Sequence, residues 1–275
     1  MKVESLSALS YHSKNIVSES TQRDYSTLCG DYSTSKMETF TILIPVYNEE
    51  HCIPSLTREI DKLLAHIEIP TSVLFIDDGS KDHSLDLIEG ICTRNKQYSF
   101  ISFARNQGLS TALKAGIDAC HSSLVGYIDA DLQTSPEDFL LLLPYMNEYD
   151  LAMGYREKRN DTLTKRICSN VANTLRRWLL RDNIIDTGCP LKIMRTSMAK
   201  RMPFFSGMHR LIPDMVMLLQ GKVKQVPIHH YPRLAGKSKY HVLNRLVGPL
   251  IDLAVFRWMQ RNSIRYHIKK CSPAK

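Results

Sequence analysis

From Phe40 onward, short apolar runs alternate with stretches whose apolar residues recur at helical spacing. The first run, FTILIPV, is continuous and gives way to polar YNEE, the pattern of a strand buried on both faces followed by its loop. HCIPSLTREIDKLLAHI then sets Ile53, Leu56, Ile60, Leu63 and Leu64 on one helical stripe. TSVLFIDDGS predicts a second strand that ends in two acids and a Gly-Ser turn, and HSLDLIEGICTRN a second helix. YSFISFARNQGLSTALKAGIDAC predicts a third strand, a glycine turn and a third helix, and SSLVGYIDADLQ a fourth strand. SPEDFLLLL carries a helix start: Ser135 as cap, Pro136 in the first turn, Glu137 and Asp138 at the positive end. This repeated alternation predicts an α/β fold, a mostly parallel sheet with helices on both faces.

In such sheets ligands bind outside the carboxyl ends of the strands. The chain places Glu49, Asp77, Asp78, Asp129 and Asp131 there. Buried strands avoid Asp, so the Asp129-Ala130-Asp131-Leu132-Gln133 stretch needs a reason. If it is extended, residues two apart point to one side, and Asp129, Asp131 and Gln133 present oxygens to a single ion. Carboxylates and an amide carbonyl suit a hard cation, Mg²⁺ or Mn²⁺, with positions left for substrate phosphates. Without a cation the two acids would repel and one would hold its proton more tightly. The competing reading is a turn that caps the next helix, but Ser135 already supplies that cap. Asp-x-Asp alone is a weak motif. No Walker A lysine loop, no Gly-x-Gly-x-x-Gly after the first strand and no Gly-x-Ser-x-Gly turn is present.

Charge changes the picture at the far end. The whole chain carries a formal +8, yet from Arg201 to Lys275 there are 14 Lys and Arg against only Asp214 and Asp252, a net +12 that leaves the first 200 residues at −4. A basic tail suggests anionic partners: phosphate, lipid or nucleic acid. Its residues mix Leu, Val, Ile, Phe and Trp258 with Arg and Lys, as in a helix that lies in the headgroup layer; a helix packed on the domain is the alternative. The run LVGPLIDLAVFRWM is broken by Pro249, Asp252 and Arg257 and is too short to span a bilayer. Residues 1–38 are rich in Ser, Thr and charge, show no signal-peptide pattern, and read as a flexible extension. The seven cysteines lack metal-like spacing and any CxxC, which favours reduced thiols.

TILIPVYNEE, VLFIDDGSKD, RNQGLSTALKAGI and GYIDADLQTSPE together resemble the family-2 glycosyltransferases with the Rossmann-like GT-A fold. MGYREKR, KRICSNVAN, DTGCPLKIMR, GMHRLIP and HHYPRLAGKSKY resemble the polyprenyl-phosphate branch, which includes dolichyl-phosphate mannose synthases and bacterial undecaprenyl-phosphate sugar transferases. The resemblance runs from about residue 40 to 262. It implies a GT-A domain over 39–240 and basic amphipathic membrane-interface helices over 241–275. It also implies that Pro45, Tyr47 and Glu49 hold the nucleotide, that Ile76 and Asp78 meet the nucleoside with Asp77 structural, and that Asp129, Asp131 and Gln133 bind the metal beside the Ala130 backbone. Arg156, with Arg159, Lys165 and Ser169, falls in the acceptor-phosphate segment. Arg233 and Lys239 fall in a loop that closes on the donor diphosphate, with Gly236 letting it move. His209 and Arg210 belong to a signature near the sugar or acceptor. Asp129, Asp131 and Arg156 are the residues expected to carry catalysis.

The function so implied is inverting, metal-dependent transfer of one sugar from a GDP- or UDP-sugar to undecaprenyl or dolichyl phosphate on the cytoplasmic membrane face. The protein is then peripheral or monotopic, or relies on a membrane-protein partner or self-association. The alternative is transfer to a cell-envelope glycan or lipopolysaccharide precursor. A polymerase lacks support, since no Gln-x-x-Arg-Trp is present. A nucleic-acid-binding protein lacks support because the charge sits beside apolar helices, not on an aromatic-studded sheet or a recognition helix.

Overall fold

A computed structural model describes residues 38–156, 174, 176–231 and 244–264. Seven strands, β1 (Phe40–Val46), β2 (Thr71–Asp77), β3 (Tyr98–Ser102), β4 (Leu124–Tyr127), β5 (Leu151–Arg156), β6 (Lys192–Arg195) and β7 (Val223–Ile228), form one sheet in the order β3-β2-β1-β4-β6-β5-β7. All pairings are parallel except those of β6, which runs against β4 and β5. The start of β6 therefore meets the carboxyl ends of its two neighbours. In register, Lys192 lies opposite Tyr127 of β4 and Met153 of β5.

Alternation along β1 and β2 divides the core between the two faces. Ile42, Ile44, Val46, Val73 and Phe75 pack under α1 (Ile53–His66), α2 (Ser84–Arg94) and α4 (Phe139–Leu142). Leu43, Leu74 and Ile76 pack under α3 (Leu109–Ala119) on the other face, in a cluster continued by α5 (Thr196–Arg201), α6 (Ile212–Leu218) and α7 (Asn244–Asn262). The stripe read from sequence holds: Ile53, Leu56, Ile60 and Leu63 are buried on α1. The helix start at Ser135 also holds, its Oγ accepting the Glu137 N–H at 3.3 Å.

The tail helix is apolar on two sides. Leu253 and Phe256 enter the core, while Leu250, Ile251, Val255 and Trp258 are exposed. It is thus both a packed helix and the carrier of an outward apolar stripe. No helix among the described residues is long and apolar enough to cross a membrane.

Candidate active site

The loops after β1 and β2 are stitched to each other. Asn48, in the left-handed region at φ 52°, gives its N–H to Ser80 Oγ at 2.9 Å, and its Oδ1 accepts the Lys81 N–H at 2.6 Å. Glu49 and Glu50 donate their N–H groups to Ser84 Oγ and Asp82 Oδ2, and Glu50 Oε2 accepts the His83 N–H. Gly79 turns at φ +68°, and a Cβ there would lie 2.5 Å from the Arg105 backbone, so only glycine lets the β2 and β3 loops meet. Asp77 takes Ser102 Oγ at 2.8 Å and the Ser80 N–H at 3.1 Å. Asp78 accepts from Asn106 Nδ2, the Gln107 N–H and the Gly108 N–H at 2.8, 2.6 and 2.9 Å. At 4% exposure Asp78 organises the loop that opens α3.

At the end of β4 the chain turns sooner than an extended reading predicts. The ladder stops at Tyr127, a turn covers Ala130 and Asp131, and Leu132 is left-handed at φ 55°. Same-side alternation over 129–133 is therefore corrected: the turn, not a strand, brings the two carboxylates together. Tyr127 Oη donates to Asp129 Oδ1 at 2.8 Å, and the Gln133 N–H reaches Asp131 Oδ1 at 3.2 Å. Burial, then the charge of Asp131, pushes Asp129 up to about 6, against the pull of Tyr127, Lys192 and Arg156. Gln133 also accepts the Tyr231 N–H on its carbonyl oxygen at 3.0 Å, which ties the segment after β7 to the acidic turn.

Arg156 closes β5. Its Nε and one terminal nitrogen hold Asp186 Oδ2 and Oδ1 at 2.7 and 3.0 Å, a two-pronged pair with both side chains largely buried. Beside it stands Lys192, 1% exposed, its ammonium donating to the Cys189 and Thr187 carbonyls and lying 5.6 Å from the centre of the Tyr127 ring. Burial lowers the pKa of this lysine, opposed by Cys189, Asp186 and Asp129.

A 3₁₀ turn, Met208–Arg210, leads into α6. Ser110 Oγ, at the start of α3, accepts the His209 N–H at 3.3 Å and lies 2.8 Å from Nδ1. Burial, then Arg210 and Lys192, pulls His209 down to about 3, so it is neutral. Arg210 pairs with Asp252 of α7 at 3.6 Å. Gly207 is left-handed at φ +89°, and a Cβ there would lie 2.1 Å from Asp252 Oδ2, so the glycine seats that carboxylate.

Among the residues predicted from sequence, Pro45, Tyr47 and Glu49 are partly exposed at the end of β1 and its loop, and Asp129, Ala130, Asp131, Gln133 and Arg156 gather at the β4–β5 edge. The Ile76 side chain is fully buried, and its Cδ1 lies 3.1 Å from where a Cβ on Gly116 of α3 would sit. Arg210 is half-exposed and paired with the tail helix. Arg159, Lys165, Ser169, Arg233, Gly236 and Lys239 lie outside the described residues. Sequence reasoning gave no roles to Asp186, Lys192 or Tyr127. The first two stood in the quoted DTGCPLKIMR, but their meaning depends on β6 reversing direction.

Residues 41–205, well over half of the chain, match the family model described as Glycosyl transferase family 2. Among solved structures, mannosyl-3-phosphoglycerate synthase from Rubrobacter xylanophilus is 15% identical with a TM-score of 0.65, covering 86% of this chain and 79% of that one. Glucosyl-3-phosphoglycerate synthase from Mycobacterium tuberculosis, in complex with Mn²⁺, UDP and glucosyl-3-phosphoglycerate, is 17% identical with a TM-score of 0.62, covering 83% and 81%. A mannosyltransferase from Pyrobaculum calidifontis, in complex with GDP-Man and Mn²⁺, is 13% identical with a TM-score of 0.59, covering 88% and 70%. At these identities the likeness is one of fold.

Proposed function

The chain belongs to glycosyl transferase family 2, and on that footing we propose that it moves one sugar from a GDP- or UDP-sugar to a polyprenyl phosphate, undecaprenyl or dolichyl phosphate, at a membrane surface, with inversion at the anomeric carbon. The observation that carries the acceptor class is the outer side of α7. Leu250, Ile251, Val255 and Trp258 are 48, 58, 43 and 66% exposed on a helix anchored in the catalytic domain through Phe256. A water-soluble acceptor needs no such stripe; a lipid acceptor needs the enzyme at the bilayer. Arg257 and Arg261 flank the stripe and suit anionic headgroups.

Asp129, Asp131 and Gln133 would hold Mg²⁺ or Mn²⁺. The donor set fits: burial, and then the neighbouring charge of Asp131, raises Asp129 to about 6, and a hard cation would relieve both the poor solvation and the repulsion. Mn²⁺ stands with UDP or GDP-Man in two of the relatives of like fold, which supports the assignment. When bound, the cation neutralises the departing nucleoside diphosphate. The acceptor phosphate is largely ionised at neutral pH, with a second pKa of about 6. It therefore attacks without a general base. Its oxygen bonds to the anomeric carbon as the bond from that carbon to the diphosphate oxygen breaks. Arg156 receives the acceptor phosphate, and Arg159, Lys165 and Ser169 follow it in the same segment. Tyr47, Glu49 and the loop held by Asp78 frame the nucleotide, and Arg233 and Lys239 serve the donor diphosphate.

The test offers the protein undecaprenyl phosphate, 3-phosphoglycerate or a lipopolysaccharide precursor, each with a panel of GDP- and UDP-sugars and Mn²⁺, and identifies products by mass. A prenyl-phosphate sugar is expected. Sugar transferred only to phosphoglycerate or to the glycan precursor overturns the lipid acceptor.

A further inference from the structure

Lys192 places its amine where water does not reach. Burying an ammonium is costly unless hydrogen bonds and nearby charge compensate it. Its compensation here is specific. The two carbonyls it meets, Thr187 and Cys189, belong to a single turn, and the ring it faces, Tyr127, bonds Asp129. The other side of that turn carries Asp186. The Asp186 carboxylate takes the Gly188 N–H at 3.2 Å and grips the Arg156 guanidinium. There is little slack, since a Cβ on Gly188 would come 3.2 Å from a terminal nitrogen of Arg156. Lys192 thus ties the inner, carbonyl side of a turn whose outer, carboxylate side aims Arg156.

We infer that Lys192 is a positioning residue of the transfer reaction: it holds the 186–189 turn so that Asp186 fixes the Arg156 guanidinium where the acceptor phosphate is received. The inference rests on the reading of Arg156 proposed above. A lysine serving only as core filler could be exchanged for methionine, which has similar bulk and no donors. A lysine that positions Arg156 could not be exchanged without an effect on the acceptor.

A double-mutant cycle separates these roles. The full chain, Lys192→Met, Arg156→Gln and the double variant are titrated by calorimetry with undecaprenyl phosphate in detergent, and their melting is recorded. Each single change is expected to weaken binding about tenfold, the scale at which a supporting residue acts through a ligand-contacting one. The double variant is expected within about twofold of Arg156→Gln, because a missing guanidinium has no position to lose. Losses that multiply in the double variant, or unchanged binding by Lys192→Met, overturn the inference. Unchanged binding by Arg156→Gln overturns the acceptor reading of Arg156 instead, so the two failures are distinct. If Lys192→Met does not fold, Lys192→Gln, which keeps an N–H donor, takes its place in the cycle. Failure of both to fold makes Lys192 a stability residue and also overturns the inference.

Discussion

Above β1, β2 and β3 the acids at the carboxyl edge are met mainly by hydrogen-bond donors of neighbouring loops; above β4, β5 and β6 they meet other charges as well as such donors. Asp78 takes two backbone N–H groups and an amide, and Asp77 a backbone N–H and a hydroxyl. Asp186 takes an arginine, and Asp129 faces Asp131 with Lys192 behind it. In the first region the acids build loops. In the second, charges are held in poor solvation, where a cation or an anionic substrate is felt strongly. The first half thus carries shape, and the second is where the proposed chemistry lies.

The largest effect is expected at Asp131. Asp131→Asn keeps the size of the side chain and removes a charge from the proposed cation site. Losing several kcal/mol of leaving-group stabilisation lowers turnover about a thousandfold. Melting is expected to stay close to wild type, because a charge crowded against Asp129 contributes little to folding. Turnover that persists in the presence of a chelator breaks the assignment of chemistry to this half.

Asp78→Ala probes the other half. It leaves the Gln107 and Gly108 N–H groups and the Asn106 amide without their acceptor. Hydrogen bonds to a charged group make this a loss of about 2–3 kcal/mol in urea unfolding. Unchanged stability with weakened donor binding would make Asp78 a nucleoside contact, as the family resemblance implies, and would erase the contrast between the halves.

A smaller effect with a defined sign belongs to Asp214 of α6. It is 1% exposed, and among the described residues neither of its oxygens, nor Asp182 Oδ2, has a hydrogen-bond partner. Arg176 bonds Asp182 Oδ1 at 3.1 Å. Burial, then Asp182, raises Asp214 well above the ordinary carboxylate range, with Arg176 opposing. The folded chain therefore keeps a proton that the unfolded chain releases, and stability falls as pH climbs from about 4 through the raised value. Asp214→Asn cannot ionise. It is expected to flatten that slope, so that its stability relative to wild type rises between pH 5 and pH 8, read from urea curves at the two values. An unchanged slope would show that Asp214 is ionised in the fold.

Much of the first half was legible because its interactions are short-range. A strand that stops at polar residues, a Gly-Ser turn, a serine before Pro136 and a stripe through Ile53 and Leu63 each act within a few residues, and periodicity reports them. The second half depends on partners far apart in sequence. Arg156 finds Asp186 thirty residues on, and Lys192 reaches the site only because β6 runs antiparallel. No local pattern announces that reversal. Ile76 sits beside two functional-looking acids, while β-strand alternation turns its side chain under α3. The acidic pair was identified on a mistaken geometry, extended instead of turned, since the positive φ of Leu132 is set by the loop and not by leucine's own preference.

The mildest change, in terms of folding, is on the outer side of α7. A helix with apolar residues on two sides is ordinarily enclosed on both, yet this one has only its inner side, Leu253 and Phe256, in the core. Deleting the chain from about residue 242 would take Phe256 out of the core and Asp252 away from Arg210, so it would confound folding with binding. Ile251→Ser with Trp258→Ser changes only exposed positions, 58 and 66% accessible. Stability should move by no more than about 0.5 kcal/mol, as for surface sites generally. Co-sedimentation with anionic vesicles should nevertheless drop sharply, because inserted Trp and Ile supply the part of the binding that salt does not screen. The wild type should lose part of its binding as salt is raised and keep the remainder, whereas the double variant should lose nearly all of it. Turnover on a short, water-soluble prenyl phosphate should survive the substitutions better than turnover on the long lipid. If the wild type stays in the supernatant with anionic and neutral vesicles alike, the stripe faces a protein or a second copy of the chain, and the lipid acceptor loses the observation that carries it.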